Sequence, residues 1–293
     1  MILIKNIRPL YFNDYILKGC MRSVFYSPSD TDSLCRLIEK FLEFGKEELS
    51  NKKENMIFDL GCGSCIPTIF LSEKIGDKSI KFKIKAFDID EDAVNVSKRN
   101  IKKMNIDEID VEKKDIFSFL SESLDDNTTL IISNPPYIPV PRNTFSDNLI
   151  CIDGGEFGTK YTIPIIRFSN VKYIAIQTGS ISDPSQVIEE IFKNGFNIRH
   201  INVIETKFGI YTKRNNIKKH LKKLSEINKS YFYDNKYLIL GFILEKSKNV
   251  EEGKIIKEEL LEFLSSYSEN GLKDSYILRV PFKMDFMRYK NTL

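Results

Sequence analysis

The chain has 293 residues, 42% apolar and 29% charged, which suits a globular protein with a large core and excludes a disordered one. Its 44 basic and 41 acidic side chains leave a formal charge of +3, so any affinity for nucleic acid has to be local. No run of about 18 apolar residues occurs, and MILIKNIRPLYFNDY is broken by Lys5, Arg8 and Asp14, so the reading is a cytoplasmic protein with no membrane partner.

In chain order the first element is a helix. In SPSDTDSLCRLIEKFLEF, Leu34, Leu37, Ile38, Phe41 and Leu42 recur at helical spacing, with Ser29 and Asp30 as capping candidates. Between residues 56 and 133, strand-like and helical patterns alternate: MIFDL, PTIFLSEKI, FKIKAFDI, EDAVNVSKRNIKKM, IDVEKK, IFSFLSESL and TTLIIS. That alternation predicts a parallel sheet with crossover helices. It continues through VKYIAIQT at 171–178, a helix opened by Asp183 and Pro184 and stopped at Gly195, and a strand within FNIRHINVI.

After residue 206, TKFGIYTKRNNIKKHLKKLSEINKS precedes a strand candidate, KYLILGFILEK. The tail EEGKIIKEELLEFLSSY predicts an amphipathic helix and SYILRV a short final strand. The expected organisation is an N-terminal segment and helix over 1–50, a catalytic domain over 51–247 with a basic insertion at about 207–235, and a C-terminal helix and strand extension over 248–293.

Five scattered cysteines, Cys20, Cys35, Cys62, Cys65 and Cys151, do not make a disulfide framework. Cys62 and Cys65 form a CxxC, but a second such pair is missing and only His200 and His220 could complete a zinc site. The pair reads as two small residues in a glycine-rich turn, with no metal.

MIFDL runs into GCGSC and then a helix, so Asp59, Leu60, Gly61, Cys62 and Gly63 lie at the carboxyl end of the first strand, where open α/β sheets bind ligands. The next strand ends with Asp88 and Ile89, and Asp88 lies 27 residues after Gly61, where a carboxylate can accept ribose hydroxyls. NAD is the rival ligand for this spacing. Against it, the third glycine of GxGxxG would fall at Ile66, and no separate catalytic domain is evident. The fourth strand ends in Asn134, Pro135, Pro136 and Tyr137, and the adjacent prolines make a rigid shelf there.

The ordered set DLGCGS at 59–64, Asp88, Asp115 and NPPY resembles the class I S-adenosylmethionine (SAM) methyltransferases that act on nitrogen. The likeness covers about residues 24–246, with Cys65 where a glycine is usual. It implies a Rossmann-like, doubly wound α/β fold with seven strands, the last antiparallel, carrying short N-terminal and C-terminal additions. It also implies that Asp59 and the turn hold the methionine end of SAM, Asp88 with Ile89 the ribose side, and Asp115 with Ile116 the adenine. S-adenosylhomocysteine is the implied product.

A planar NH2 group has a delocalised lone pair, so a site must orient it rather than deprotonate it. Asn134 can offer its side-chain oxygen and Pro135 its carbonyl, since proline loses only its donor. Together they grip both N–H bonds, and Tyr137 is expected to stack on the planar substrate near the sulfonium charge. NPPYIP followed by IDGGEFG at 152–158, and YSPSDTDSL at 26–34, are similar to segments of the HemK/PrmC protein glutamine methyltransferases. That resemblance implies a protein substrate with an accessible, release-factor-like glutamine. The alternative is an amino group of adenine or guanine in RNA or DNA, approached through the basic segment 213–229, where Lys213, Arg214, Lys218, Lys219, Lys222, Lys223 and Lys229 face a single acid, Glu226.

Overall fold

The computed structural model describes residues 2–7, 24, 26–75, 80–122, 128–142, 144, 150–247, 253–273, 275–276 and 283–289. The first half of its elements runs β1 (Ile2–Ile7), α1 (Pro28–Asn51), β2 (Asn55–Leu60), α2 (Ile66–Ile75), β3 (Phe82–Asp88), α3 (Glu91–Met104), β4 (Ile109–Lys113), α4 (Ile116–Leu120) and β5 (Thr128–Ser133). The second half runs α5 (Thr162–Phe168), β6 (Tyr173–Gly179), α6 (Pro184–Lys193), β7 (Phe196–Lys207), α7 (Asn215–Glu226), β8 (Phe232–Tyr233), β9 (Lys236–Lys246), α8 (Gly253–Asn270), β10 (Ser275–Tyr276) and β11 (Lys283–Tyr289). Two compact units divide the chain. One is Pro9–Asn134 with Phe168–Ile176, and the other is Met1–Arg8, Pro135–Arg167 and Gln177–Leu293.

In the first unit the strands lie side by side in the order β6, β5, β2, β3, β4, each pair parallel. Every residue of β5 is buried, as are Ile57, Phe58, Asp59 and Leu60 of β2, the pattern of central strands covered on both faces. Between β2 and the edge strand β4, β3 turns Lys83 and Lys85 to solvent and keeps Ile84, Ala86 and Phe87 inside. Phe119 of α4 closes this corner, its ring 4.8 Å from Phe58 and 5.3 Å from Phe87. Burying one such ring contributes about 1.5–3 kcal/mol.

α1 begins two residues before the expected caps. Ser27 is the N-cap, its hydroxyl accepting from the Asp30 amide, and Pro28 takes the first turn, where a missing N–H costs nothing. Phe41 of α1 meets Tyr173 of β6 edge-on at 5.3 Å.

In the second unit the end of β6 is followed by β9, β7, β11, β1 and β10, with β8 paired to β9. β9 runs antiparallel to β7 from Phe196↔Lys246 to Lys207↔Lys236. With β4, β3, β2, β5 and β6 these two complete the seven expected strands, including the antiparallel last one, and the fold is Rossmann-like α/β.

The additions go further than the sequence suggested. β11 pairs parallel with β7, β1 parallel with β11, and β10 antiparallel with β1, so both chain ends join this unit's strands. Of the final strand expected over 275–280, Ser275 and Tyr276 are strand and the remainder lies outside the described residues. α8 is built into the core: Leu260, Phe263, Leu264 and Tyr267 are buried, and Phe263 meets Phe286 of β11 at 5.1 Å.

Candidate functional site

In the first unit the carboxyl ends of β2, β3, β4 and β5 bring together Asp59, the turn Gly61–Gly63, Asp88, Asp115 and Asn134. The turn is held from several sides. The amides of Gly61 and Cys62 donate to the Phe87 carbonyl at 2.8 and 2.9 Å, and the Gly63 amide donates to Asp88 Oδ2 at 2.8 Å. From α3, Ser97 Oγ donates to the Gly63 carbonyl at 2.8 Å and Asn100 Nδ2 to the Ser64 carbonyl at 2.9 Å.

Gly61 and Gly63 adopt φ of +76° and +56°, and no atom lies within 4 Å of where a Cβ on Gly63 would be. Glycine is therefore required there by backbone conformation, and the space in front of it is open. Cys65, where glycine is usual in the resembling family, also takes a left-handed φ of +61°. A hydrogen bond to Cys65, then burial, pushes the Cys62 thiol up, which keeps Cys62 a neutral thiol.

Asp59 is 2% exposed and accepts a hydrogen bond from Thr68 Oγ1 on α2. Burial raises its pKa to about 7, against the lowering effect of the Thr68 bond, with a smaller upward push from Asp88. Asp88 is raised by burial as well, opposed by the Asp90 and Gly63 amides. Its Oδ1 accepts from Asp90 N at 2.9 Å and the Ile89 amide also bonds the carboxylate, which still leaves acceptor capacity on its two oxygens. Ile89 beside it is exposed. Asp115 caps α4 by position but makes no side-chain capping bond, and Ile116 is buried with its Cδ1 3.8 Å from a Cβ placed on Gly61.

Asn134 follows β5, whose last residue, Ser133, donates from Oγ to the Leu60 carbonyl at 2.7 Å. Asn134 Oδ1 is buried and has no hydrogen-bond partner.

In the second unit, Tyr137 is the best-fixed residue of the shelf. Its carbonyl accepts from Ser182 Oγ at 2.6 Å, and its hydroxyl lies 3.1 Å from that of Tyr237 on β9. The ring lies against Gly179, where a Cβ would come within 2.9 Å of Cε2. At 6% exposure the ring is buried, where the sequence suggested a platform for stacking on the substrate.

The IDGGEFG segment is bonded directly to the residues after Tyr137. The Ile138 amide donates to the Ile152 carbonyl at 3.1 Å, Gly154 N to the Ile138 carbonyl at 3.0 Å, and Val140 N to the Gly155 carbonyl at 2.9 Å. A Cβ on Gly154 would sit 2.7 Å from the Tyr137 backbone, and one on Gly158 would sit 2.4 Å from the Tyr137 carbonyl oxygen. The glycines that follow NPPYIP are there so that the two segments can touch.

Sequence reasoning missed Thr68, Ser97, Asn100, Ser182, Gly179 and Tyr237. A signal existed for Ser97 and Asn100, which lie three apart on α3 among buried Ala93, Val94, Val96 and Ile101. It also missed Gln177 at the end of β6, fully buried with neither amide atom hydrogen-bonded.

Residues 41–146 match the family model described as "Methyltransferase small domain". No curated protein matches the sequence. Among solved structures, the chain is similar to a putative class I SAM-dependent methyltransferase from Listeria monocytogenes, at 16% identity and a TM-score of 0.48, covering 88% of this chain and 76% of that one. It is similar to a putative RNA methyltransferase from Pyrococcus horikoshii, at 12% identity and 0.46, covering 83% and 93%. It is also similar to the E. cuniculi Mtq2–Trm112 complex responsible for methylation of the eRF1 translation termination factor, at 14% and 0.43, covering 77% and 99%.

The strand order, the open glycine turn with its two carboxylates, and the match of residues 41–146 to the methyltransferase small domain are those of a methyltransferase. The protein is a SAM-dependent enzyme, and the residues present fit that cofactor. A buried, uncompensated carboxylate at Asp59 suits an ammonium group, and spare lone pairs on Asp88 suit hydroxyls.

Proposed function

We propose that the protein methylates the nitrogen of a planar NH2 group held by Asn134 and Pro135. Asn134 Oδ1 carries this reading, being a buried acceptor with no donor. Such an atom costs about 1–3 kcal/mol, a cost that ends when an N–H group arrives. The next acceptor along the chain is the Pro135 carbonyl, which accepts no hydrogen bond among the described residues. Two acceptors on the two N–H bonds aim the nitrogen and raise its electron density.

When bound, SAM supplies an electrophilic methyl group. Asp59 and the Leu60–Gly63 turn would hold its methionine end, Asp88 with Ile89 its ribose side, and Asp115 with Ile116 its adenine. Pro136 fixes the backbone of the shelf and Tyr137 ties it down, through Ser182, Tyr237 and the two glycines.

For the acceptor we favour a glutamine amide of a protein, as in the HemK/PrmC enzymes. The support is that NPPYIP and IDGGEFG, the segments carrying that resemblance, are hydrogen-bonded into one piece. The second reading, an amino group of a nucleic acid, is favoured by the uncompensated lysines of α7. Tritiated methyl transfer from SAM into a cell lysate distinguishes them. The glutamine reading requires label that is lost to protease and survives nuclease, and the opposite result selects the second.

A further inference from the structure

α7 uses one face for the core and leaves the other in an unfavourable electrostatic state. Ile217, Leu221 and Leu224 are buried, while Lys213, Lys218, Lys219, Lys222 and Lys223 are exposed and have no carboxylate partner among the described residues. Elsewhere lysines stand opposite acids, as in Lys74–Glu39, Lys113–Glu91, Lys172–Glu48 and Lys257–Glu189.

Lys218 with Lys222, and Lys219 with Lys223, are like-charge pairs at i,i+4, each of which disfavours the helix. The first turn has no acid, Arg214 sits at the N-cap without a side-chain capping bond, and the helix's one acid, Glu226, lies in the last turn. Arg214 and Glu226 oppose the helix dipole, no first-turn acid offsets them, and only Lys223 in the last turn favours it. A solvated helix gains from mixed charges, and this one forgoes them.

Beside the lysines, the Arg214 guanidinium lies 5.0 Å from the centre of the Tyr211 ring, and Ile210 is 77% exposed. Cations next to an aromatic and apolar step suit a polyanion with unpaired bases. The helix is fastened to the shelf's own loop, since His220 Nε2 donates to the Glu156 carbonyl at 2.7 Å, between Gly154 and Gly158, which press on Tyr137.

We propose that the lysine face of α7 docks single-stranded RNA, its phosphates on Lys218, Lys219, Lys222 and Lys223 and a base near Tyr211 and Arg214. This goes beyond the proposed reaction, because docking there does not depend on which NH2 group is methylated.

The test uses the full chain and a fluorescein-labelled single-stranded RNA of mixed sequence, titrated by anisotropy. With four phosphates neutralised, affinity should fall about 50-fold between 50 and 200 mM salt. Lys218→Glu, Lys219→Glu, Lys222→Glu and Lys223→Glu together should abolish binding, and the four Lys→Gln changes should weaken it at least about tenfold. Retained SAM binding and melting temperature would show that these variants are folded. Absence of binding at 50 mM salt, or binding unchanged in both variants, overturns the proposal. So does equal affinity for duplex DNA or for an acidic polypeptide, which would make the face a general polyanion surface. Methyl transfer by the charge-reversed enzyme to a protein acceptor is read separately, so loss of docking and loss of the proposed reaction are distinguishable.

Discussion

The amide of Gly63 donates to Asp88 Oδ2 at 2.8 Å, so the carboxylate expected to face the ribose is also the strut of the glycine turn. Asp88→Ala should therefore remove a ligand acceptor and loosen the turn together. SAM affinity should fall by about 10- to 150-fold, the scale of a charge-assisted hydrogen bond. Asp88→Asn keeps one oxygen for the turn or the ligand and should lose less. Titration calorimetry showing unchanged affinity in the alanine variant would remove Asp88 from the cofactor site.

Asp59 makes cofactor binding depend on pH. Its folded pKa, about 7, lies above its ordinary 3.8, so the folded protein holds an extra proton between these values. Stability of the cofactor-free protein therefore falls as pH rises from about 4 to 7, by about 4 kcal/mol at most. An ammonium ligand needs the ionised form, so SAM affinity should rise as pH rises toward 7 and level off above it. Asp59→Asn should melt higher than wild type at pH 8, lose that advantage at pH 4, and bind SAM weakly at both. A wild-type affinity flat from pH 5.5 to 8 would detach Asp59 from the ammonium.

Gly63 and Gly158 give a paired test of why glycine stands where it does. Both have positive φ, but a Cβ on Gly63 meets nothing, whereas one on Gly158 meets the Tyr137 carbonyl oxygen at 2.4 Å and Ser182 Cβ at 2.7 Å. Gly63→Ala should cost about 1 kcal/mol of backbone strain. Gly158→Ala should cost clearly more, about 3 kcal/mol, because the shelf or the loop has to move. Chemical denaturation of the two variants orders them, and equal losses would mean the loop does not press on Tyr137 as described.

Local patterns made much of the fold legible. Glu91–Met104 and Lys236–Lys246 have the bounds that capping, periodicity and apolar runs predict. β1 and β11 were not legible, because Lys5 and Asn6 interrupt one and Lys283, Asp285 and Arg288 the other. What makes them strands is pairing with each other and with β7, a contact between chain ends that no window contains.

The turn, both carboxylates and NPPY were readable because each closes a strand. Tyr137's burial was not, since it depends on Tyr237, a hundred residues away, and on two glycines whose sequence signature names no partner. The Ser27 cap was misplaced by two residues because SPSD offers several polar candidates, and the proline at the first helical position decides among them.

Asn134 separates the substrate clamp from cofactor binding. Its Oδ1 has no donor in the protein, so Asn134→Ala removes an acceptor without breaking any hydrogen bond of that oxygen, and the shelf should keep its backbone. SAM should still bind. Methyl transfer to the identified acceptor should fall by about 100-fold or more, the scale of a lost transition-state hydrogen bond. Asn134→Asp keeps an acceptor in nearly the same volume and should retain more activity than alanine, at the cost of burying a charge. In the alanine variant stability should rise or stay level, because a buried acceptor with no donor has been removed. A wild-type transfer rate in that variant would mean that Asn134 ends a strand and does nothing to the nitrogen.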